Sequence, residues 1–511
     1  MNLRQRQTVV VPVVYVAAMF MAVLDTTIVN VALPTLGRDF HASASDVGLI
    51  SIAYLISLTV FIPVSGWLGD RFGGRRALLG AVAVFTVGSA LCGLATSLGE
   101  LVAFRILQGA GGAVMTPVGL AMLLRVYPPA ERVRLASTLA VFTALAPALG
   151  PVLGGLFTTY VSWRLVFFVN VPIGTAAFVF GAALLAGHTQ PRPGRLDRPG
   201  VVLSGLGLGS LMYGLSEGPS RGWSSAPVLA TLAAGAALLT ALAVVELRTA
   251  APLIDLRLFT NRLFSAATSL YGLGSVAYLG ALYLATLFFQ DALGLSAVAS
   301  GLITFPSALG VMAGGQLVTR VLYRRFGPRR VVTAGLLVVA GATAAMALVG
   351  TGTSRWLISL IMFGVGLGIS GVFIPAQGIS MATISPAQTG RASAVFNAGK
   401  QLGGALGVAL LTTVLATAGT TRHEAGHVVA NLTAFHDGFL AAAAVAVVAV
   451  AAARTIRDAD AAAMTPRPAG RDKRATRHED RLAQSAQSAE AVLGDGPDGQ
   501  PAAGTFGQER R

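Results

Sequence analysis

Three ionisable side chains stand inside long apolar stretches of this 511-residue chain: Asp25, Arg105 and Lys400. A charge at the centre of a bilayer costs about 2.5–3.5 kcal/mol on insertion scales, so one retained there has a task. A carboxyl such as Asp25 can bind and release a proton. Arg105 must face a cavity or an acidic partner, and beside Asp25 it would tune that group's proton affinity. Lys400 lies about ten residues, or ~15 Å, into its helix. It needs water, a carboxylate or an anionic substrate group. Asn30, Gln108 and Gln401 are uncharged polar residues in the same helices, and with Lys400 they are the candidates for a substrate cavity. A fourth pattern, His423-Glu424-Ala-Gly-His427, satisfies H-E-x-x-H. Zinc hydrolysis requires both histidines on one helix face, a third ligand and a cleft. Here Gly426 weakens a helix, and a loop of about 17 residues between long apolar runs offers no domain to build a cleft. A membrane zinc hydrolase is therefore a remote alternative, no metal site is expected, and the chain is read as not an enzyme.

The elements that must position these groups are membrane helices. Of all residues 54% are hydrophobic and only 12% charged, about half the ~25% of soluble domains. That excludes a soluble, disordered or disulfide-rich class for most of the chain, and the single cysteine, Cys92, permits no intrachain disulfide. The first apolar run spans roughly 9–33. It is too long for the 7–15-residue core of a signal peptide and contains Asp25, so it reads as an uncleaved helix. Thirteen further runs follow, near 46–69, 77–98, 101–124, 136–160, 165–187, 200–219, 227–247, 263–290, 298–322, 330–350, 355–380, 391–417 and 435–454. Each is long enough to cross a core of ~30 Å, and only helices satisfy their own backbone there. The expectation is an all-α integral membrane bundle of 14 transmembrane helices.

The net charge of +15 suggests nucleic acid until it is located. The tail 455–511 holds 9 basic and 9 acidic residues, so the excess lies elsewhere. No basic helix or aromatic-interleaved patch points to nucleic acid, and no such partner is expected. Instead 17 arginines sit in or beside one alternating set of loops and five (Arg38, Arg164, Arg221, Arg355 and Arg422) in the other. By the positive-inside rule both termini are cytoplasmic.

The chain repeats itself. Asp70-Arg-Phe-Gly-Gly-Arg-Arg76 matches Arg324-Arg-Phe-Gly-Pro-Arg-Arg330 at an offset of 254, and Gly109-x-Gly111 matches Gly364-x-Gly366 at 255. Duplicated halves follow. Residues 1–187 form an N-terminal six-helix half, 188–262 a two-helix insertion, and 263–454 a C-terminal six-helix half. Residues 455–511, poor in large apolar side chains, form a disordered cytoplasmic tail.

Gly66-Trp-Leu-Gly-Asp70-Arg71-Phe-Gly73-Gly-Arg75-Arg76 joins the second and third runs, with glycines for a tight turn and charges for pairing at a helix end. This segment resembles the helix 2–3 loop of the major facilitator superfamily, departing from it at Gly69 and Gly74. The resemblance implies a conformational latch of Gly66, Asp70, Arg71, Gly73 and Arg75. Leu24-Asp-Thr-Thr-Ile-Val-Asn30-Val-Ala-Leu-Pro34 resembles, more specifically, the first-helix signature of the fourteen-helix drug:proton antiporters. A tryptophan usual at the start of helix 2 is missing, with Gly48 or a neighbour in its place. The Arg105–Gly112 segment is similar to that family's proton-transfer motif. Pro147 and Gly150-Pro151-Val-Leu-Gly154-Gly155 are similar to its antiporter motif, with Ala146 where glycine is usual. Trp163-Arg164 through Gly174, Gly214–Gly218, Pro252–Phe259 and Gly390–Gly404 match as well, so the resemblance covers roughly 9–454.

The resemblance implies two six-helix halves rocking around a midplane site, and a monomer in a bacterial inner membrane. It implies a proton-driven exporter of lipophilic drugs or antibiotics, with no cofactor and the proton gradient as energy source. Asp25 and Arg105 would couple the proton. Residues 263–454 hold no clearly mid-membrane carboxylate, Asp291 and Asp437 being near helix ends. Export of an endogenous metabolite, siderophore or lipid is the alternative within transport. No GxxxxGK[ST] loop occurs, which disfavours an intrinsic ATP-driven pump.

Overall fold

The computed structural model describes residues 3–42, 44–128, 131–187, 196–249, 252–385, 388–419, 421–424 and 427–454. The expected tail, 455–511, lies outside them. Fourteen long helices run through the described residues. They are α1 (Leu3–Asp39), α2 (Ala44–Phe72), α3 (Gly74–Leu94), α4 (Leu98–Val126), α5 (Arg132–Tyr160), α6 (Leu165–Leu184), α7 (Arg198–Arg221) and α8 (Ala226–Arg248). The rest are α9 (Arg262–Leu287), α10 (Ala297–Leu317), α11 (Tyr323–Met346), α12 (Arg355–Ser380), α13 (Thr389–Ala418) and α14 (Leu432–Ala453). Thirteen of them are long and apolar enough to cross a membrane; α5, the fourteenth, has 29 residues. Many large apolar side chains point outward, among them Val179, Leu206, Leu229, Leu360 and Val448. That surface suits hydrocarbon rather than water.

Local signals set the helix ends. Ser97 caps α4 by accepting from the Glu100 amide at 3.3 Å, and Glu100 reaches back to the Thr96 amide at 2.9 Å. Ser296 caps α10 in the same way, and Asn261 caps α9. Such caps satisfy donors that have no partner within the helix. α6 has one turn residue at Val169 before it resumes at Asn170. Pro172 is tolerated there because the first turn needs no amide from it.

The internal repeat is visible in the backbone. Gly73 and Gly327, equivalent positions of the two matched loops, have φ/ψ of 81°/144° and 75°/165°. Only glycine adopts these angles without strain. Gly73→Ala is expected to lower stability by at least about 1–2 kcal/mol, read as a lower melting temperature in detergent. An unchanged melting temperature would contradict the strain.

Helix contacts follow the same repeat. α1 packs on α4, α5 and α6, α4 on α2 and α3, and α3 on α6. α9 packs on α12, α13 and α14, α12 on α10 and α11, and α11 on α14. Between these groups α5 meets α10 and α2 meets α13, pairs that exchange under the repeat. α7 and α8 pack on each other, with α7 lying against α2 and α13. Trp223 Nε1 donates to Thr413 Oγ1 at 2.8 Å and pins their connection to α13.

Among the described residues one element is a sheet. Thr421–Glu424 and His427–Ala430 form a two-stranded antiparallel hairpin between α13 and α14. His423 and His427 therefore lie on opposite strands, not on one helix face as zinc hydrolysis would require.

Candidate functional site

α1, α4 and α6 bring Asp25, Arg105, Gln108 and Asn170 together, and α3 adds Ser89 and Cys92. All six are buried, none more than 1% exposed. Arg105 Nη1 is ion-paired to Asp25 Oδ2. It also donates to Gln108 Oε1 at 2.8 Å, and Arg105 Nε donates to the Ile50 carbonyl at 3.2 Å. Its guanidinium carbon stands 4.0 Å from the centre of the Tyr54 ring, a cation–π contact. The Tyr54 hydroxyl in turn reaches the Ala22 carbonyl at 3.4 Å. Asp25 Oδ1 accepts from Gln108 Nε2 at 2.9 Å and Asn170 Nδ2 at 3.3 Å. The carboxylate thus accepts from a guanidinium and two side-chain amides.

Ser89 orders the amides. Its hydroxyl donates to the Phe167 carbonyl at 2.9 Å, so its oxygen can only accept from Gln108 Nε2 and Asn170 Nδ2, each at 3.1 Å. Gln108 Oε1 is reached by Cys92 Sγ at 3.6 Å. Asn170 Oδ1 accepts no hydrogen bond among the described residues.

Glycines make the convergence possible. A Cβ on Gly109 would lie 2.8 Å from the Tyr54 carbonyl, and one on Gly111 2.9 Å from the Ala81 carbonyl. α4 thus presses against α2 and α3 at the level of Gln108. A Cβ on Gly150 would overlap the Thr27 side chain, and one on Gly154 would lie 2.9 Å from the Ile28 carbonyl. Gly155 faces the other way, toward Val298 of α10 at 3.1 Å. The Gly-Pro-x-x-Gly-Gly segment is therefore a seam, with α1 on one side, immediately past Asp25, and α10 on the other. Pro147 lies half-buried in the same helix, and the Pro151 side chain is outside the described residues.

At the α2–α13 crossing a Cβ on Gly66 would meet the Gly390 carbonyl at 3.3 Å, and Asp70 approaches Gly390 closely. Asp70 pairs with Arg125 at the end of α4 (3.6 Å). This corrects the expectation of a pair among the loop's own arginines. Arg71 is exposed, and Arg75 Nη2 caps α6 through the Ala182 carbonyl at 2.6 Å. Arg125, at the helix end where cations suit the dipole, is the nearer partner.

Of the cavity candidates, Gln108 belongs to the sealed Asp25 cluster instead. Asn30 is exposed and accepts from Ser51 Oγ at 2.9 Å. Gln401 and Lys400 are half-buried. Lys400 shares a face of α13 with buried Ser393, Asn397 and Gly404, and among the described residues no hydrogen bond or ion pair reaches it. Sequence reasoning did not single out Ser89, Tyr54 or Asn170 as members of the Asp25 cluster. The one available signal was a polar side chain at each of these sites inside an apolar run.

Residues 15–408 match the family described as the Major Facilitator Superfamily. The chain is 34% identical over 398 residues to the tetracenomycin C resistance and export protein of Streptomyces glaucescens, covering 78% of this chain and 74% of that one. It is 33% identical to a multidrug resistance protein B homolog of Mycobacterium tuberculosis (strain CDC 1551 / Oshkosh), covering 79% and 75%. Among solved structures, the proton:xylose symporter XylE superimposes with a TM-score of 0.60 at 16% identity, covering 88% of this chain and 95% of that one.

Proposed function

Because the chain belongs to the Major Facilitator Superfamily, we propose that it is a proton-coupled exporter of lipophilic drugs or antibiotics across a bacterial inner membrane. As a superfamily member it is a membrane transporter and not an enzyme. The export reading draws on relatives named for drug and antibiotic resistance at about one-third identity. The observation that carries the proton reading is the ion pair of Asp25 and Arg105, fully buried in helices of membrane-spanning length. A buried ion pair is a poor stabiliser compared with apolar packing, so a switching role is the better account of its presence.

In this reading the six-helix groups α1–α6 and α9–α14 are the moving halves and α7–α8 an insertion. Both termini are cytoplasmic, the monomer is the working unit, and no cofactor is used. The α2–α13 crossing at Gly66 and Gly390 then closes the cytoplasmic side. A proton entering from outside neutralises Asp25 and weakens its hold on Arg105. The two protonation states must favour different conformations, because a ligand with equal affinity for both shifts nothing. Proton release on the inner side and substrate release on the outer side belong to alternate states of the carrier, so each cycle exchanges one for the other.

The test is drug-stimulated proton flux in proteoliposomes, with lipophilic cationic and neutral antibiotics presented at the basic-loop face. Substrate-dependent collapse of an imposed pH gradient is expected. Export that proceeds without a pH gradient and moves no protons would sink the proton reading.

A further inference from the structure

From the Asp25 cluster we infer that Asn170 reads the charge of Asp25 and passes it to α3 and α6 by turning its side-chain amide over. The inference rests on the proton-coupled reading above and deepens it. With Asp25 ionised, Asn170 Nδ2 donates to Asp25 Oδ1 (3.3 Å) and Ser89 Oγ (3.1 Å). Its orientation is not free, because the Ser89 hydrogen is committed to the Phe167 carbonyl and Ser89 can only accept. The opposite end of the amide, Oδ1, is buried and accepts no hydrogen bond among the described residues. A buried acceptor without a partner is costly, so its presence asks for a second arrangement in which it is used.

Protonation of Asp25 supplies that arrangement. A proton on Oδ1 turns an acceptor into an O–H donor, and Asn170 Nδ2 can no longer bond to that hydrogen. Rotating the amide by half a turn brings Asn170 Oδ1 to the new O–H. No heavy-atom bond forms or breaks; the proton comes from the external solution and stays on the carboxyl. The same rotation carries Nδ2 away from Ser89. It therefore dissolves one of the two hydrogen bonds by which Ser89 joins α3 to α6, leaving the bond to the Phe167 carbonyl. Gln108 cannot do the same, because its Oε1 is already held by Arg105 Nη1 at 2.8 Å.

The groups facing Asp25 are few. Arg105 comes from α4, Tyr54 from α2 and Cys92 from α3, all in electrostatic reach of the carboxylate. Residues 135–159 of α5 and 165–184 of α6 contain no titratable side chain. Any pH response through Asn170 is thus the response of Asp25.

Asn170→Leu, reconstituted in proteoliposomes, is expected to lose at least tenfold in uphill, proton-driven export, with a clearly smaller loss of drug–drug exchange at zero pH gradient. Ser89→Ala removes the group that holds Asn170 in the orientation suited to ionised Asp25. It should move the midpoint of drug-stimulated proton flux toward higher pH by about half to one unit, the effect of one net hydrogen bond. Ser89→Ala removes one hydroxyl only, so it carries the test if Asn170→Leu fails to reach the membrane. A lowered melting temperature with both readouts unmoved would make Asn170 merely structural and overturn the inference alone. Absence of proton flux in the wild-type protein would overturn the proton-coupled reading and this inference with it.

Discussion

Asp25→Asn is expected to lose proton-driven export entirely. Asparagine fills the same volume but cannot alternate between charged and neutral forms. The substitution also leaves Arg105 a buried cation with no counter-charge. Removing one partner of a buried pair typically destabilises by about 3–5 kcal/mol, so loss of function could be confused with loss of folding. The double variant Asp25→Asn, Arg105→Gln separates the two, since no uncompensated charge then remains. Most of the melting temperature lost by the single variant should return in the double one, while drug-stimulated proton flux stays absent in both. Full coupled transport by Asp25→Asn at neutral pH would remove Asp25 from the mechanism.

Gly154→Val should be nearly as damaging for a steric reason. The first added carbon would lie 2.9 Å from the Ile28 carbonyl and 3.1 Å from Val31 Cβ. A helix carbonyl cannot rotate aside as a side chain can, so α1 must move off α5. Overpacking of this kind costs typically about 1–3 kcal/mol. The displacement falls on Ile28, one helical turn after Asp25, and so disturbs the ion pair with Arg105. Both melting temperature and proton-driven export should fall. Gly155→Ala, one residue on, should be milder, because its neighbour at 3.1 Å is the exposed Val298 side chain and not a backbone carbonyl. Gly99→Ala, in open space, should change neither. Equal effects at Gly154 and Gly99 would refute the packing account.

The spans were legible because each is a run of apolar residues of the right length, and transfer into hydrocarbon depends on little else. Helix ends extended further than expected, as in α1 from Leu3 to Asp39. Hydropathy marks where the hydrocarbon ends, not where the backbone hydrogen bonds stop. The H-E-x-x-H pattern, set aside as a zinc site from the sequence, has its two histidines on opposite strands of a hairpin.

Asp70 shows where local reading stops. Its neighbours in sequence, Arg71, Arg75 and Arg76, were the apparent partners, yet the pair forms with Arg125 from another helix. Gln108 stands among the cavity candidates because it is polar and shares a helix with Arg105. Whether such a side chain meets a substrate or another buried group depends on which helix crosses there. In this fold it meets Asp25 and Ser89.

By itself, then, the sequence determined fourteen apolar spans, a repeated loop whose glycines share one unusual backbone conformation, and three charges that needed explanation. Those are properties of single segments, governed by transfer free energy and backbone sterics. The tertiary structure alone decided that Asp25 and Arg105 satisfy each other while Lys400 meets no hydrogen-bond or ion-pair partner among the described residues. It also decided that Ser89 and Asn170 complete the cluster around Asp25. Pairing inside a membrane is settled by the depth and angle at which helices cross, and those are set by glycine contacts summed over the whole bundle.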